Sequence, residues 1–249
     1  MPADDLGTAV DVTAPARRVV SLVPSLTEAI AATRPAALVG ATDWCTRPAD
    51  LDIPRVRGTK NPDRTAIADL APDLVVANQE ENRELDVERL RADGIAVWVT
   101  RIRTLDEAFA SMRRLFGDAL GWDAPPWLDE AEQAWSEPPR PDGPRVAVPI
   151  WRDPWMVVGS DTFTGDVIAR LGWRNAFGES AERYPHVDLV EINRADVDLV
   201  LLPDEPYVFG PDDGPEAFTN APTALVSGRS LTWYGPSLVT ARAELEAVP

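Results

Sequence analysis

The chain has 249 residues, with 41 acidic and 24 basic side chains, a formal net charge of −17 and an isoelectric point near 4.4. So acidic a chain lacks the basic stripe that nucleic-acid binding requires, and it does not favour adhesion to anionic lipid. The single cysteine, Cys45, excludes an intramolecular disulfide and zinc sites built from paired cysteines. The single histidine, His186, excludes any site that needs several histidines.

No apolar run in the sequence approaches the roughly 20 residues that span a bilayer. The N-terminal residues, Met1 to Asp5, show no basic segment followed by an apolar one, so they do not resemble a signal peptide. We therefore expect a cytoplasmic protein as the sequence stands, or an extracytoplasmic one if a signal segment has been removed. The hydrophobic share of 45% is enough for a normal core.

The first hundred residues alternate short apolar runs with helical segments. Four apolar runs, most of them rich in β-branched residues, predict buried strands at 18–23, 37–40, 74–77 and 95–99. Helices are predicted after Pro24, where Ser25 or Thr27 provides a cap, and over 63–70 and 84–93. The polar, proline-rich stretch 42–61 is predicted to be a loop. This alternation indicates a parallel sheet with helical crossovers.

The middle of the chain has a different pattern. Apolar residues recur at helical spacing from Thr104 to Leu120, and a shorter helix is predicted over 127–135. Residues 136–144 contain four prolines and predict a stiff, extended linker. We therefore place the domain boundaries as a first α/β lobe, a connecting helix with its linker, and a second α/β lobe, at 1–103, 104–144 and 145–249.

The pattern of the first lobe returns in the second. The strand that begins at Arg145 is similar to the one that begins at Arg18, and residues 197–202 are similar to residues 72–77 at nearly the same spacing. Two similar α/β lobes would produce this repeat, although Asp-Leu-Val strands are common in any α/β protein. Ligands of open parallel sheets bind beyond the carboxyl ends of the strands, so the loops that follow each strand are the candidate site.

These loops carry aromatic, polar and charged side chains. Aromatic rings suit a large planar or partly apolar ligand, while polar groups fix its orientation. The alternative for each tryptophan is packing against the core. The candidate ligand-binding residues are Ser25, Trp44, Lys60, Asn78, Trp151, Trp155, Tyr184 and Arg229.

Other residues leave two interpretations open. Glu80 and Glu81 could bind a cation or a basic partner, but a solvated loop is the simpler interpretation. Cys45 is either a reactive thiol or an inert buried residue, and His186 either ligates the metal of a bound cofactor or is a plain surface or packing residue. No nucleophile elbow, P-loop or dinucleotide motif is present, so no catalytic residues are assigned. The residues favour a binding protein over an enzyme.

Three segments resemble one known family. Arg18 to Glu28 resembles the opening strand and helix of the cobalamin and iron-siderophore substrate-binding proteins of ABC importers, the helical-backbone metal receptors. Leu70 to Val76 resembles the family's L-x-P-D-L-V strand, and Tyr184 to Ile192 resembles its second-lobe loop and helix. Asp4 to Gly7 also matches the short hairpin that often precedes the first strand. The similarity extends from about Asp5 to the C-terminus.

The resemblance implies an α/β fold with two Rossmann-like lobes, each with a parallel sheet, joined by a helical backbone as in class III periplasmic binding proteins. It implies a binding protein and not an enzyme, with a corrinoid, haem or ferric siderophore bound in the inter-lobe cleft. Such a ligand brings its own metal, so no intrinsic cofactor or metal site is expected. Trp44 and Tyr184 fall where the cobalamin branch places aromatic residues, and Trp151 or Trp155 could supply the facing ring.

The resemblance also implies a partner. In importer-bound members of the family, one glutamate on each lobe docks onto arginines of the membrane permease. Glu191 matches the second-lobe position, whereas Thr65 stands at the first-lobe position, where Asp63 or Asp69 could substitute. We therefore expect a monomeric receptor for a metal chelate, either coupled to an ABC permease or a cytoplasmic relative without one.

Two alternatives remain open. One is a corrinoid- or tetrapyrrole-processing enzyme on the same scaffold, in which Glu80, Glu81 or His186 would act as an acid, a base or a ligand. The other is an interaction protein without a role in transport.

Overall fold

The computed structural model describes residues 1–248. The chain divides into two compact units, of which the first comprises Met1–Ile102, Asp106–Asp129 and Tyr234–Pro236, and the second comprises the other described residues. Most of the segment predicted to connect two lobes is thus divided between the units, with residues 106–129 in the first and 130–144 in the second. Among the described helices, none has the length and apolar character needed to cross a membrane.

The first unit contains a four-stranded parallel sheet and a small antiparallel hairpin. Its strands are β1 (Val19–Ser21), β2 (Leu38–Ala41), β3 (Arg57–Gly58), β4 (Asn61–Pro62), β5 (Leu74–Asn78) and β6 (Val97–Thr100). The sheet order is β2-β1-β5-β6, and β3 pairs with β4. The first five helices of the chain are α1 (Pro24–Thr33), α2 (Arg64–Asp69), α3 (Glu84–Ala92), α4 (Leu105–Arg114) and α5 (Pro126–Ala134).

The second unit repeats this plan. Its strands are β7 (Arg145–Ala147), β8 (Pro149–Trp151), β9 (Met156–Val157), β10 (Arg174–Asn175), β11 (Leu199–Pro203) and β12 (Thr223–Val226). The parallel sheet has the order β10-β7-β11-β12, and β8 pairs with β9 in an antiparallel hairpin. The remaining helices are α6 (Phe163–Arg170), α7 (Leu189–Arg194), α8 (Gly228–Thr232) and α9 (Leu238–Glu246).

In both parallel sheets the strand that comes first in the chain lies between the second and the third. In both, an aspartate carboxylate accepts a hydrogen bond from the backbone at the start of that first strand. The Asp73 carboxylate accepts hydrogen bonds from the backbone N–H groups of Arg17 and Arg18, at 2.7 and 2.9 Å. In the second unit the Asp198 carboxylate accepts from the N–H of Arg145 at 2.7 Å. The aspartate of each Asp-Leu-Val run therefore holds the start of the neighbouring strand, and the repeat predicted from the sequence is confirmed.

Three local details differ from the prediction. Helix α1 begins at Pro24 with Val23 as its N-cap, so Ser25 and Thr27 lie inside the helix and neither of them caps it. The predicted loop over 42–61 contains strand β3 and the start of β4. The helix predicted up to Leu120 is α-helical only to Arg114 and continues as a π-helical segment, Leu115–Ala119.

The N-terminal hairpin expected from the resemblance is present, with an antiparallel bridge between Ala3 and Ala9. Asp4 fixes it, since its Oδ1 accepts from two backbone N–H groups of the hairpin at 3.0 and 2.9 Å. Its Oδ2 accepts from the Arg91 guanidinium on α3 at 2.7 Å. This buried carboxylate therefore ties the start of the chain to the body of the first unit.

Candidate functional site

Trp44 lies in the turn that follows β2, where 67% of its surface is exposed. The turn is anchored from beneath by the buried Cys45, whose Sγ lies 3.0 Å from Thr27 Oγ1 and 3.1 Å from Thr42 Oγ1. Arg55 donates to the carbonyl oxygens of Thr42 and Cys45, at 3.2 and 2.8 Å. The indole therefore contributes little to the core, and it is presented on an ordered turn where a ligand can stack on it.

The environment of Cys45 argues against a reactive thiol. Burial raises the pKa of the Cys45 thiol, and hydrogen bonds with Thr27 and Thr42 oppose this rise only in part. A thiol with a raised pKa stays protonated at neutral pH and is a poor nucleophile and metal ligand. This supports the inert interpretation, in which Cys45 anchors the turn that carries Trp44.

Two buried asparagines build the loop that follows β5. Asn78 Oδ1 accepts from the N–H of Glu80 at 2.8 Å, and its Nδ2 donates to Thr100 Oγ1 at 3.0 Å. Asn82 Oδ1 accepts from the N–H of Asn78 at 2.9 Å, and its Nδ2 donates to the Thr59 carbonyl at 2.9 Å. Asn78 is 3% exposed and its amide is engaged within the chain, so in this structure it helps to build the loop.

Ser25 and Lys60 lie in opposite environments. Ser25 is buried in the first turn of α1, with 4% of its surface exposed, which leaves little of it for a ligand. Lys60 is exposed at the tip of the β3–β4 hairpin, where its Nζ donates to the carbonyl of Glu80. The same hairpin adjoins Trp44, since a Cβ placed on Gly58 would lie 3.3 Å from the indole Nε1. We call the turn 42–46 together with β3 the Trp44 surface.

Glu81 is a half-buried carboxyl group in the loop after β5. Burial raises its pKa, the positive charge of Lys60 lowers it, and the charge of Glu80 raises it. The net shift is upward, so the folded state holds this proton to a higher pH than the unfolded chain does. Ionised Glu81 therefore destabilises the fold as the pH rises from below the ordinary glutamate pKa to above the folded-state value.

We expect Glu81→Gln to raise the free energy of unfolding at pH 7, because it removes the cost of a half-buried carboxylate. The gain should vanish at a pH below the ordinary glutamate pKa, where both the folded and the unfolded carboxyl groups are protonated. Urea unfolding at the two pH values measures the difference. Glu88→Gln, at an exposed position of α3, is the control and should show no such gain at neutral pH. An equal effect of Glu81→Gln at both pH values would contradict this assignment.

In the second unit, Trp151 lies at the end of β8 with 44% of its surface exposed. Its ring meets Tyr207 edge to face, with ring centroids 5.7 Å apart. The Tyr207 hydroxyl donates to Asp213 Oδ2 at 2.6 Å. Arg152 contacts the same aspartate and also Glu216, whose Oε1 lies 2.5 Å from Nη1. We call this group the Trp151 surface, an exposed aromatic edge supported by a network of ion pairs.

The ion pairs set the protonation states of this surface. The hydrogen bond to Asp213 raises the pKa of Tyr207, so the phenol stays protonated and acts as a donor. The hydrogen bond from Arg152 lowers the pKa of Glu216, so that carboxylate stays ionised. Tyr207 and Arg152 follow predicted strands, and this position was the only sequence feature that pointed to them as site residues. Nothing in the sequence pattern indicated that Asp213 accepts a hydrogen bond from Tyr207, or that Asp213 and Glu216 form ion pairs with Arg152.

Trp155 packs inside the second unit, in contrast to the exposed Trp151. Only 8% of its surface is exposed, and its ring stacks on Phe209 with centroids 6.0 Å apart. Phe218 meets the ring edge to face at 5.3 Å, and the Arg152 guanidinium lies 5.5 Å from its centre. Apolar neighbours from the loops after β11 cover this indole, so it supports the Trp151 surface from below.

The other candidates of the second unit have different neighbours. Tyr184 is half-buried, with the Arg183 guanidinium 5.6 Å from its ring centre. Arg229, in the first turn of α8, is half-buried and lies 5.5 Å from the ring centre of Trp233. Trp151 thus contacts Tyr207 from a different segment of the chain. Tyr184 and Arg229 each form a cation–π contact with a residue at most four positions away in the sequence.

Three of the four residues named for the docking positions also differ in exposure and partners. Glu191 is exposed on α7 and forms no salt bridge with any residue in 1–248. Thr65 is exposed on α2. Asp63 caps that helix by accepting from the N–H of Ala66 at 3.1 Å, and it lies 3.3 Å from Arg57 Nε. Asp63 is therefore engaged within the first unit, whereas Glu191 is available to a partner.

Among the described residues, His186 is not grouped with acidic side chains that could hold a metal ion with it. His186 is exposed, and its backbone pairs with Met156. Within residues 1–248, no group of three or more histidine, cysteine, aspartate or glutamate side chains is placed to hold a metal ion. The two aromatic surfaces are suited to stacking and hydrogen bonding, which are the interactions of a binding site for a preformed planar ligand.

Comparison with known proteins yields matches among solved structures only. No family model matches the sequence, and no curated protein matches it significantly. The periplasmic vitamin B12 binding protein BtuF of Vibrio cholerae is 20% identical, with a TM-score of 0.71 over 93% of this chain and 95% of that chain. A periplasmic heme-binding protein from Pseudomonas aeruginosa is also 20% identical, with a TM-score of 0.75 over 94% of each chain.

A third similar structure is the periplasmic heme-binding protein RhuT from Roseiflexus sp. RS-1, which is 21% identical with a TM-score of 0.73. This match covers 92% of this chain and 96% of that chain. At such identities the likeness establishes the fold. The chain therefore has the α/β fold of the periplasmic vitamin B12- and heme-binding proteins, and the fold class predicted from its sequence is confirmed.

Proposed function

We propose that the protein binds a metal chelate of the corrinoid, haem or ferric siderophore type and releases it unchanged. The observation that carries the proposal is Trp44, a tryptophan 67% exposed on a turn with buried anchors. The exposed edge of Trp151 in the second unit supports it. Solved structures of the same fold are named for binding vitamin B12 or heme, which are large, partly planar metal complexes.

The metal is proposed to arrive within the ligand. Cys45 is buried with a raised pKa, and His186 is a single exposed imidazole, so neither residue builds a metal site by itself. Stacking on aromatic rings and hydrogen bonds from polar side chains can hold a complex whose coordination is already largely filled. This mode of recognition requires no intrinsic cofactor and no catalytic group.

Titration with three probes tests the proposal: hydroxocobalamin, haemin and a ferric hydroxamate. We expect one of them to give a saturable shift of its visible bands with matching tryptophan quenching, and to be recovered unchanged after denaturation of the protein. A new chromophore in the recovered material would instead indicate a processing enzyme. Absence of saturable change with all three would overturn the proposal and favour an interaction protein.

We further propose that Glu191 is the contact of the second unit with an ABC permease. It is exposed on α7 and carries a charge that no salt bridge within residues 1–248 neutralises. In cells lacking their own copy of the gene, Glu191→Arg should reduce uptake of the bound chelate by about tenfold while its affinity in solution is unchanged. Glu179→Arg, at another exposed position of the second unit, is the matched control. Undiminished uptake with Glu191→Arg would indicate a receptor that feeds no transporter through this helix.

A further inference from the structure

A pocket of about 420 Å³ opens in the first unit between the β3–β4 hairpin and the starts of α2 and α3. Its lining is basic, although the chain as a whole carries a net charge of −17. Five of the lining side chains are cations, namely Arg57, Lys60, Arg64, Arg83 and Arg89. We call this depression the basic pocket.

The carboxylates near the basic pocket do not neutralise it fully. The two in its lining are Asp63, 3.3 Å from Arg57 Nε, and Asp86, whose Oδ1 lies 3.8 Å from Arg89 Nη1. Arg64 pairs with a carboxylate outside the lining. Of the four arginines, that leaves the one at the N-cap of α3 without a carboxylate partner.

That arginine is Arg83, whose side chain is exposed and has no carboxylate within 4.0 Å among residues 1–248. Lys60 donates to a backbone carbonyl, and its charge acts on the half-buried Glu81, whose pKa is raised. Like charges in one pocket repel each other, and a bound anion would relieve this repulsion. The arrangement is therefore one that an anion would stabilise.

We infer that the basic pocket binds a small oxyanion with two or more acidic groups, of the phosphate-ester or polycarboxylate class. Guanidinium groups match the oxygens of phosphate and carboxylate with paired hydrogen bonds, and several of them converge here from separate elements. The volume lies within the usual range for small-molecule sites. Cations gathered from three elements favour a small anion that contacts several of them at once. The basic pocket shares Arg57 of β3 with the Trp44 surface, so it is tested with anions that are not metal chelates.

Isothermal titration of the full chain with inorganic pyrophosphate and with citrate, at low ionic strength and pH 7.5, tests the inference. We expect saturable binding of one of them with one anion per chain. The double variant Arg83→Gln and Arg89→Gln should weaken this affinity by about tenfold or more, because it removes charge-assisted hydrogen bonds. Arg64→Gln, on α2, should weaken it as well, because Arg64 lines the same pocket.

The matched control is Arg17→Gln, which removes the same charge from an exposed position before β1 in the same unit. It should change the affinity by less than about twofold. If the control weakened anion binding as much as the pocket variants do, the loss would reflect the overall charge of the chain, and the inference would be overturned. Failure of both anions to bind would overturn it too, as would binding of hexaglutamate alone.

Discussion

Replacing Trp44 with alanine is expected to weaken binding of the metal chelate by about tenfold to a hundredfold, since burial of a large apolar face contributes about 1.5–3 kcal/mol. The free energy of unfolding should barely change, because 67% of the Trp44 surface is already exposed and the turn is held by other residues. Those anchors are the Cys45 thiol and the Arg55 guanidinium, which remain in the variant.

The affinity is measured by visible-band titration with the chelate that the wild-type protein binds, and the stability by thermal unfolding. Leu6→Ala is the matched control, since it also removes an exposed apolar side chain, 44% accessible, from the first unit. Trp151→Ala should produce a similar loss through the second unit, with Leu225→Ala as its control. Normal binding by both tryptophan variants would show that the two aromatic surfaces are not the binding surfaces.

Replacing Asp4 with alanine is expected to lower the free energy of unfolding by about 3 kcal/mol, because it leaves a partly buried guanidinium without its counterion. The Asp4 side chain is fully buried, and its salt bridge to Arg91 measures 2.7 Å. The backbone N–H groups of Leu6 and Thr8 lose their acceptor as well. Both donors belong to exposed residues, so water can replace the carboxylate as their acceptor and their loss adds little to the cost.

Thermal unfolding should show the melting temperature of Asp4→Ala lowered by about 6–12 °C, given about 2–4 °C per kcal/mol for a chain of this size. Asp11→Ala, at an exposed position in the same segment, serves as the control. In the Asp4→Ala background, Arg91→Met should recover part of the loss, because the unpaired charge is then removed as well. A melting temperature of Asp4→Ala equal to that of the control would show that the N-terminal hairpin is not tied to the first unit by this ion pair.

The longer elements were predictable because each has a strong local signal. The strand β5 is a run of apolar residues bounded by Pro72-Asp73 and a polar loop, and all five of its residues are buried. The amphipathic helix α4 was indicated by apolar residues such as Ala108 and Met112, which are both buried. In contrast, β3 and β4 have only two residues each, so pairing across the turn defines them and no sequence period reveals them.

The sequence predicted that the candidate ligand-binding residues lie in loops, but it did not predict which of them are exposed. Trp44, Trp151 and Trp155 all follow predicted strands, and nothing local distinguishes them. The structure exposes the first two and buries the third among Phe209 and Phe218. Whether a loop tryptophan faces solvent depends on which apolar residues of distant loops cover it, and a sequence window does not contain that information.

The sequence by itself determined the repeated α/β plan of this protein, its acidity and its small number of histidine and cysteine side chains. These properties follow from composition, periodicity and the two Asp-Leu-Val runs. Only the tertiary structure decided that cations from the β3–β4 hairpin, α2 and α3 line one basic pocket within so acidic a chain. It also decided that Asn78 builds a loop while Trp44 stands exposed. The physical reason is that burial and charge clustering are set by contacts between segments far apart in the chain, whereas strand and helix periods are local.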